Sequence, residues 1–496
     1  MSNRSKTIAP TLALLITVGS PPAQGDTAAI YRALADRADA PAARASEAGA
    51  KEKALLGPAT PEEIFSMDGA DNSPAVRSFP DINSDGRDEI LVGIDESGTD
   101  NIFLLDGAST GTATVLWSVE TMDGVSGGSP YGDLSLTVVP DADGNGIADV
   151  LAGTAWGGRT AYRMDGASGA IQWRLDTYLE ADSGWVYSLA EVGDVAGDSK
   201  PEVAFGAGSD NDRVYLIDGS STGGAQGTVR WRYSAADGVL ALASPGDLSG
   251  DGLGDVVAAV GDQGQAVVAL NGATASPSGE VLWQYSVGAS PFALGVLPDI
   301  TGDGIDEILA AVWVSTGDAI RCLNGATGAL EWASTTVFAP GMLVDLLEDV
   351  TGDGIPEVIA SSWENAVSVL NGADGTEVWK TTVGNLNGGD VWTARAIGDL
   401  NADGKEDVIA GSFDYNVYAM DGDSGDILWA FDTANRVFSV HAVGDLNNDG
   451  WPEVVAGTQD TNNNTVIHVL SGIAAFGIFG DGFESGDSSA WSMTFP

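Results

Sequence analysis

The chain has 496 residues, 71 acidic and 21 basic, for a formal charge of -50 at pH 7. A phosphate backbone is held by lysine and arginine, so this balance excludes a nucleic-acid binder and leaves cations, neutral molecules or basic surfaces as partners. With 44% hydrophobic residues and 14 Trp the sequence is too apolar for a disordered acidic chain; the single Cys322 excludes an internal disulfide, and two histidines, His441 and His468, exclude a multi-histidine metal site.

Arg4 and Lys6 precede an apolar run from Ile8 to Val18, followed by Ser20, Ala23 and Gly25. This is the layout of a secretory signal peptide, expected over residues 1–25, with the protein secreted or held at the cell surface. A membrane anchor is the alternative, but the run is shorter than the ~20 residues a span needs, and the mature chain is expected to carry no span. Residues 26–60 are rich in Ala, Arg and Glu, are broken by Pro41, and read as a partly helical linker.

From Asp81 onward a nine-residue pattern, D-x-D/N-x-D-G-x-x-D/E, returns eight times at a mean period of about 52 residues. Its positions 1, 3, 5 and 9 are Asp81, Asn83, Asp85 and Glu89 in the first copy and Asp141, Asp143, Asn145 and Asp149 in the second. The third supplies Asp194, Asp198 and Glu202, with Ala196 at position 3 and Ser199 in the glycine place. The fourth has Asp247, Ser249, Asp251 and Asp255; the fifth Asp299, Thr301, Asp303 and Glu307; the sixth Asp349, Thr351, Asp353 and Glu357. The seventh has Asp399, Asn401, Asp403 and Asp407, and the eighth Asp445, Asn447, Asp449 and Glu453.

Each copy runs into a short β-branched stretch such as EILVG or EVVAG, hence a strand. A second strand then ends in a turn, as in IFLLDG, VVALNG and VYAMDG, and seven copies continue to a Trp: Trp117, Trp173, Trp231, Trp283, Trp332, Trp379 and Trp429. With the apolar stretch entering each loop this makes about four strands per unit. Such a unit cannot bury both faces alone, and its repetition predicts an all-β, eight-bladed β-propeller over residues 61–475, with a seven-bladed ring as the alternative. The eighth unit lacks its Trp strand while EEIFSMDG lies upstream of the first, so one terminal segment is expected to complete a mixed first or last blade and leave no open edge.

Oxygen ligands at alternate positions 1, 3 and 5 converge on one ion, and calcium takes 6 to 8 such oxygens at about 2.3 to 2.6 Å. Glycine at position 6 permits the sharp turn, the carbonyl of position 7 can face inward, and the carboxylate at position 9 closes the site. An EF-hand closes at position 12 between helices; here the flanks are strands. Positions 1, 3, 5 and 9 of the loops hold 24 of the 71 acids, and eight dications would offset 16 of the 50 excess negative charges. Calcium is therefore expected as a structural ion that stabilises a disulfide-free chain by mass action, with the third loop the weakest site.

The loops with their trailing strands, for example GDLNADGKEDVIAGS from Gly398, resemble the FG-GAP repeats of the integrin α-chain propeller and its bacterial relatives. The second halves, for example NVYAMDGDSGDILWAFD from Asn416, look like the repeats of pyrroloquinoline-quinone dehydrogenase propellers. Together the resemblances cover roughly Asp81 to Gly472. The first implies calcium in the loops and a role in adhesion or ligand binding. The tail at 476–496 is acidic and looks like a C-terminal segment of secreted proteins of some Gram-negative bacteria.

The quinoprotein resemblance implies an axial cofactor cavity capped by a vicinal disulfide, which one cysteine forbids, so the seven Trp read as blade packing. GVSGG, GASTG and GSSTG fit G-x-S-x-G but lie in glycine-rich turns with no strand-to-helix elbow. His468 occupies a slot filled elsewhere by Phe103, Tyr162, Tyr215 and Tyr418, and reads as packing. The expectation is a monomeric, secreted, calcium-binding module for a protein or glycan ligand, without catalysis of its own. An enzyme, quinone-linked or carbohydrate-active, and an envelope assembly scaffold are the alternatives.

Overall fold

Apolar runs separated by acidic and glycine-rich turns fold here into eight antiparallel sheets, one per repeat. The computed structural model describes residues 60–70, 72–95, 100–121, 134–155, 158–180, 184–209, 212–314, 318–337, 341–384, 389–460 and 464–474. The expectations for a signal peptide, for the linker up to residue 59 and for the tail lie outside these residues, as does GVSGG.

Blade 4 shows the common plan: Val239–Gly246, Asp255–Val260, Ala266–Leu270 and Val281–Ser286 pair in chain order. The first strands of the other blades are Asn72–Phe79, Leu136–Val139, Trp185–Gly193, Pro291–Leu297, Gly341–Leu347, Val391–Ile397 and Arg436–Val443. Each first strand contacts those of both neighbouring blades, which sets them around the axis of a closed ring. The second strands, such as Asp255–Val260 and Asp407–Ser412, are buried along their whole length. A strand covered on both faces carries a continuous apolar run, which is why these segments show no alternation. One apolar cluster fills each of the eight seams, for instance Val192, Leu216, Trp231, Val256 and Leu270 between blades 3 and 4.

The ring closes through the N-terminal segment. Pro61–Ala70 pairs antiparallel with Asn464–Ala474, with Phe65 opposite Val469 and Met67 opposite Ile467, and so becomes the fourth strand of blade 8. Of the two terminal arrangements expected, the mixed last blade is the one formed, and the ring has eight blades. His468 Nδ1 lies 2.6 Å from Glu63 Oε1 on that closing strand, and its ring is 6.1 Å from Phe431. Its place is a packing position that ties the two ends of the propeller together.

The repeated Trp bind one blade to the next. Six indoles donate Nε1–H to the carbonyl of the turn glycine of the following blade: Trp117 to Gly166 at 2.8 Å, Trp231 to Gly272 at 3.1 Å, Trp283 to Gly325 at 2.6 Å, Trp332 to Gly372 at 2.9 Å, Trp379 to Gly422 at 2.7 Å and Trp429 to Gly472 at 2.5 Å. The other two seams use backbone instead. Gly111–Thr112 of blade 1 pairs in parallel with Phe65 and Ser66 of blade 8, the blade without a Trp. Ala225–Gln226 of blade 3 pairs in parallel with Trp173 and Arg174 of blade 2. Trp173 is buried there, and its Nε1 has no acceptor among the described residues.

The turn glycines are sterically required. A Cβ on Gly325 would stand 2.0 Å from the Asp306 carbonyl oxygen, and one on Gly472 1.8 Å from that of Pro452. Both carbonyls belong to position 8 of the adjacent acidic loop. Gly325→Ala is therefore expected to abolish cooperative folding. Trp379→Phe, which removes a buried hydrogen bond together with volume, should cost about 1 kcal/mol more in denaturant unfolding than Trp173→Phe, which removes volume alone. Equal losses at the two positions would contradict the indole-to-glycine seam.

Candidate metal loops

An up-and-down sheet puts its first-to-second and third-to-fourth connections at the same end. All eight acidic loops and all eight glycine turns therefore share one face of the ring. Neighbouring loops are linked along it by basic side chains at position 7: Arg87 Nε donates to Leu446 O, Lys200 Nζ to Ala142 O, and Lys405 Nζ to Val350 O at 2.9 Å.

Each loop folds around its own carboxylates. The position-1 side chain, in Asp81, Asp141, Asp194, Asp247, Asp299, Asp349 and Asp399, accepts the N–H groups of positions 4 and 6 at 2.6 to 2.8 Å. Asp445 accepts the N–H of Gly450 at 2.9 Å. The N–H of position 6 holds Asp81, Asp141, Asp194 and Asp299 below the usual carboxylate range. Positions 4 and 6 are both left-handed, the latter from Gly252 at φ 85° to Gly450 at 94°, with Ser199 adopting 68° without the freedom of glycine. Position 4 takes the same conformation with Ser84, Ala402 and Asn448 as well as glycine. The position-5 oxygen, on Asp85, Asn145, Asp198, Asp251, Asp303, Asp353, Asp403 and Asp449, accepts the N–H of position 7 at 2.7 to 3.0 Å.

Position 3 varies. The side-chain oxygens of Asn83, Asp143, Asn401 and Asn447 accept the N–H of position 5 at 2.7 to 3.0 Å. The Ser249 hydroxyl lies 3.3 Å from Asp247 Oδ1 and that of Thr301 3.4 Å from Asp299 Oδ1, while Thr351 Oγ1 lies 3.5 Å from Asn371 Nδ2.

Position 9 is the buried floor. Glu89, Asp149, Glu202, Asp255, Glu307, Glu357, Asp407 and Glu453 are all fully buried at the head of the second strand. In every loop this carboxylate accepts the N–H of position 2, at 2.5 to 3.3 Å. In Glu89, Asp255 and Asp407 it also takes the N–H of the turn glycine. Burial pushes the carboxyls of Glu89, Asp149, Glu202, Asp255 and Glu307 up, that of Asp407 to about 7 and that of Glu453 to about 8. Glu202 Oε1, Glu307 Oε1 and Glu453 Oε1 are buried without a hydrogen-bond donor among the described residues. A buried carboxylate oxygen in that condition is strongly disfavoured unless a cation faces it.

Two loops bring three carboxylates together, with one oxygen of each within 4.8 Å of the others. They are Asp445, Asp449 and Glu453 in blade 8, and Asp143, Asp149 and Asp165 in blade 2. Asp165 comes from the glycine turn, not from the loop, and that turn residue recurs as a neighbour of the candidate ligands. Asn145 Nδ2 donates to Asp165 Oδ1 at 2.8 Å, Asn324 Nδ2 to Asp303 Oδ2 at 3.0 Å, Asn371 Nδ2 to Asp353 Oδ2 at 2.6 Å and Asn401 Nδ2 to Asp421 Oδ2 at 2.9 Å. Where the loop offers the amide the turn offers the carboxylate, and the reverse. The loop motif does not single out this residue, because Asp-Gly and Asn-Gly are ordinary turn dipeptides; its fixed place ahead of each glycine is the signal that finds it.

In blades 2 and 3 an arginine stands at the position-9 carboxylate. Arg163, fully buried, donates Nε to Asp149 Oδ2 at 2.9 Å and Nη2 to Pro140 O at 2.7 Å, and lies 3.4 Å from Glu191 Oε2. Gln172 Nε2 takes the other Asp149 oxygen at 2.7 Å. In blade 3, Arg230 Nη1 is 3.4 Å from Asp218 Oδ2 and 3.9 Å from Glu202 Oε1. This is the loop in which Ala196 removes the position-3 ligand.

Residues 357–471, less than half of the chain, match the family model described as the lambda-carrageenase beta-propeller domain. No curated protein matches the chain by sequence. Among solved structures it is similar to the computationally designed Ika8 protein, at 15% identity over 83% of this chain and 99% of that one, with a TM-score of 0.55. It is similar to Saccharomyces cerevisiae Sqt1 at 12% identity, over 83% and 99% of the two chains, with a TM-score of 0.55. Chaetomium thermophilum Sqt1 bound to the N-terminus of ribosomal protein L10 is similar at 14% identity, over 83% and 100%, with a TM-score of 0.52. At these identities the likeness is one of fold, and the fold is a β-propeller.

Proposed function

We propose that the protein is an exported calcium-binding β-propeller that works as a ligand-binding module, its calcium held in the acidic loops of one face. The observation that carries this reading is the buried position-9 carboxylate, repeated eight times at the head of a strand and left in blades 5 and 8 with an oxygen that has no hydrogen-bond donor among the described residues. Calcium supplies the hard positive charge that such an oxygen and its exposed neighbours at positions 1, 3 and 5 favour. The loops are unequal. Those of blades 5 and 8 offer free buried oxygens; in blade 2 the position-9 carboxylate is already engaged by Arg163 and Gln172, and in blade 3 Arg230 approaches it.

Calcium is expected to raise the melting temperature and chelation to lower it. Calorimetric titration of Asp445→Asn/Asp449→Asn should show one calcium fewer than the parent. Asp194→Asn/Asp198→Asn should leave the stoichiometry unchanged, because Arg230 serves that loop. Equal losses in both variants, or melting indifferent to calcium, would overturn the reading.

The raised and lowered carboxyls give pH dependences of opposite sign. The position-9 groups, raised in the folded state, contribute stability that is complete below the unfolded value of about 4 and is lost as pH rises through about 7 for Asp407 and about 8 for Glu453. The lowered position-1 groups contribute stability present above about 4 and lost as pH falls further. Calcium-stripped protein should therefore melt highest between about pH 4 and 6, and the stabilisation given by calcium should grow from about pH 6 to 8 as the ion displaces protons. A calcium effect independent of pH over that range would exclude Asp407 and Glu453 as ligands.

One observation favours a second reading, a carbohydrate-processing enzyme: the match of residues 357–471 to the lambda-carrageenase propeller. Sustained release of reducing ends from λ-carrageenan by the purified protein would establish it in place of the binding module.

A further inference from the structure

Seven of the 14 Trp belong to the fourth strands, and the ring seams account for them. In one cluster with Trp185, Tyr187 and Leu240 of blades 3 and 4, three others, Trp313, Trp363 and Trp392, meet Phe292, Phe413 and Phe438. These last six stand at the beginnings of first strands or directly after second strands, in blades 5 to 8. Topology places them beside the axis, on the face opposite the acidic loops. The ring centroids follow one another at 5.2 Å from Phe292 to Trp313, 4.7 Å to Trp363, 6.5 Å to Trp392 and 4.8 Å to Phe413. Trp313 and Trp363 are half-buried, whereas Trp392 is only 3% exposed. The Nε1–H of Trp392 has no acceptor among the described residues.

We propose that this aromatic mouth is a binding site for a neutral polysaccharide, with the half-buried Trp313 and Trp363 as stacking platforms and Trp392 as a hydrogen-bond donor to a sugar hydroxyl. A pyranose presents an apolar C–H face to an indole ring and oxygens at its edge, which suits a mostly apolar wall with one buried donor that lacks an acceptor. A buried N–H left without an acceptor is unfavourable, and a ligand oxygen removes that penalty. Charge selects against a polyanion. The turns of blades 4 to 7 at this end carry Asp262, Glu364, Asp390 and Asp414; Glu364 is already paired with Lys380, and Arg436 lies over Phe413 at 5.4 Å. With a formal charge of -50 on the whole chain, a sulfated glycan meets net repulsion here. The site rests on the binding-module reading and gives that module its ligand class.

The test uses the full chain with calcium, titrated calorimetrically and by tryptophan fluorescence with neutral hexasaccharides of β-1,4-glucan, β-1,4-mannan, β-1,3-glucan and β-1,4-xylan. A λ-carrageenan oligosaccharide and a Phe-rich peptide run beside them. One neutral sugar is expected to bind, with affinity falling at least about tenfold in Trp313→Ala and Trp363→Ala, as loss of a stacking ring implies. Trp392→Phe keeps a ring but removes the donor and should lose about fivefold. Melting temperature and its rise with calcium are read on the same samples and should be retained in the Trp313 and Trp363 variants. No binding by any neutral sugar, unchanged affinity in those two variants, or binding by the sulfated sugar or the peptide alone would overturn the proposal. Loss of the calcium effect with sugar binding intact would instead overturn the metal reading and leave this one standing.

Discussion

The buried carboxylate at the head of each second strand is the constraint on which the rest of the molecule turns. It accepts the N–H of position 2 in all eight loops. It thereby fixes the loop against the strand, and in blades 1, 4 and 7 it also fixes the glycine turn against the loop. That turn glycine in turn receives the indole of the preceding blade at six of the eight seams. In blades 4 and 7, where both contacts are made, loop, turn and seam are one mechanical unit, and a disturbance of the carboxylate passes to the interface between blades. Burying eight carboxylates is unfavourable without compensation, and the protein compensates with backbone donors everywhere, with Arg163 in blade 2, and with Arg230 close by in blade 3.

A closed ring of sheets has no spare element to absorb a weak seam, so each departure from the repeat is matched by a substitute contact. Blade 8 has no Trp, and the turn of blade 1 lays Gly111–Thr112 along its closing strand instead. Blade 3 has a longer turn, and Ala225–Gln226 pairs with blade 2 where the Trp173 indole finds no carbonyl. Main-chain pairing and an indole hydrogen bond are thus interchangeable devices for the same geometric task.

The architecture was legible because its signals are periodic. Eight copies of one loop, each followed by an apolar run, a turn and a Trp, leave little freedom, and the number of blades follows. Which terminus closes the ring was not legible, since EEIFSMDG has the composition of any of the strands around it. The left-handed residue at position 4 is hidden because Ser84, Ala402 and Asn448 stand there beside glycines. Arg163 is visible only when AYRMDG is set against IFLLDG and VYLIDG, where an arginine replaces a leucine. Its meaning depends on Asp149, 14 residues earlier, coming to lie against it. The aromatic mouth belongs to no motif at all: its residues sit at strand ends in four different repeats and converge only through closure of the ring.

The two faces carry opposite chemistry for a common reason. At one end of every blade the chain reverses through nine-residue loops, long enough to wrap side-chain oxygens around a centre. At the other end the second-to-third hairpins of blades 4, 6 and 7 are short, and strand termini bring ring after ring to the axis. The repeated carboxylates gather at the long loops, and the aromatic cluster gathers where strands begin, with Asp262, Glu364, Asp390 and Asp414 in the turns around it. Because the same strands run from one face to the other, the hydrogen-bonded loops and turns of the acidic rim also hold the strand ends at the mouth in register. Trp313, Trp363 and Trp392 belong to three different blades, so their mutual spacing depends on seams that the loops and turns of the far face fasten. An acidic rim fastened by its own hydrogen bonds and an aromatic cluster at the opposite end are in this way consequences of one closed ring.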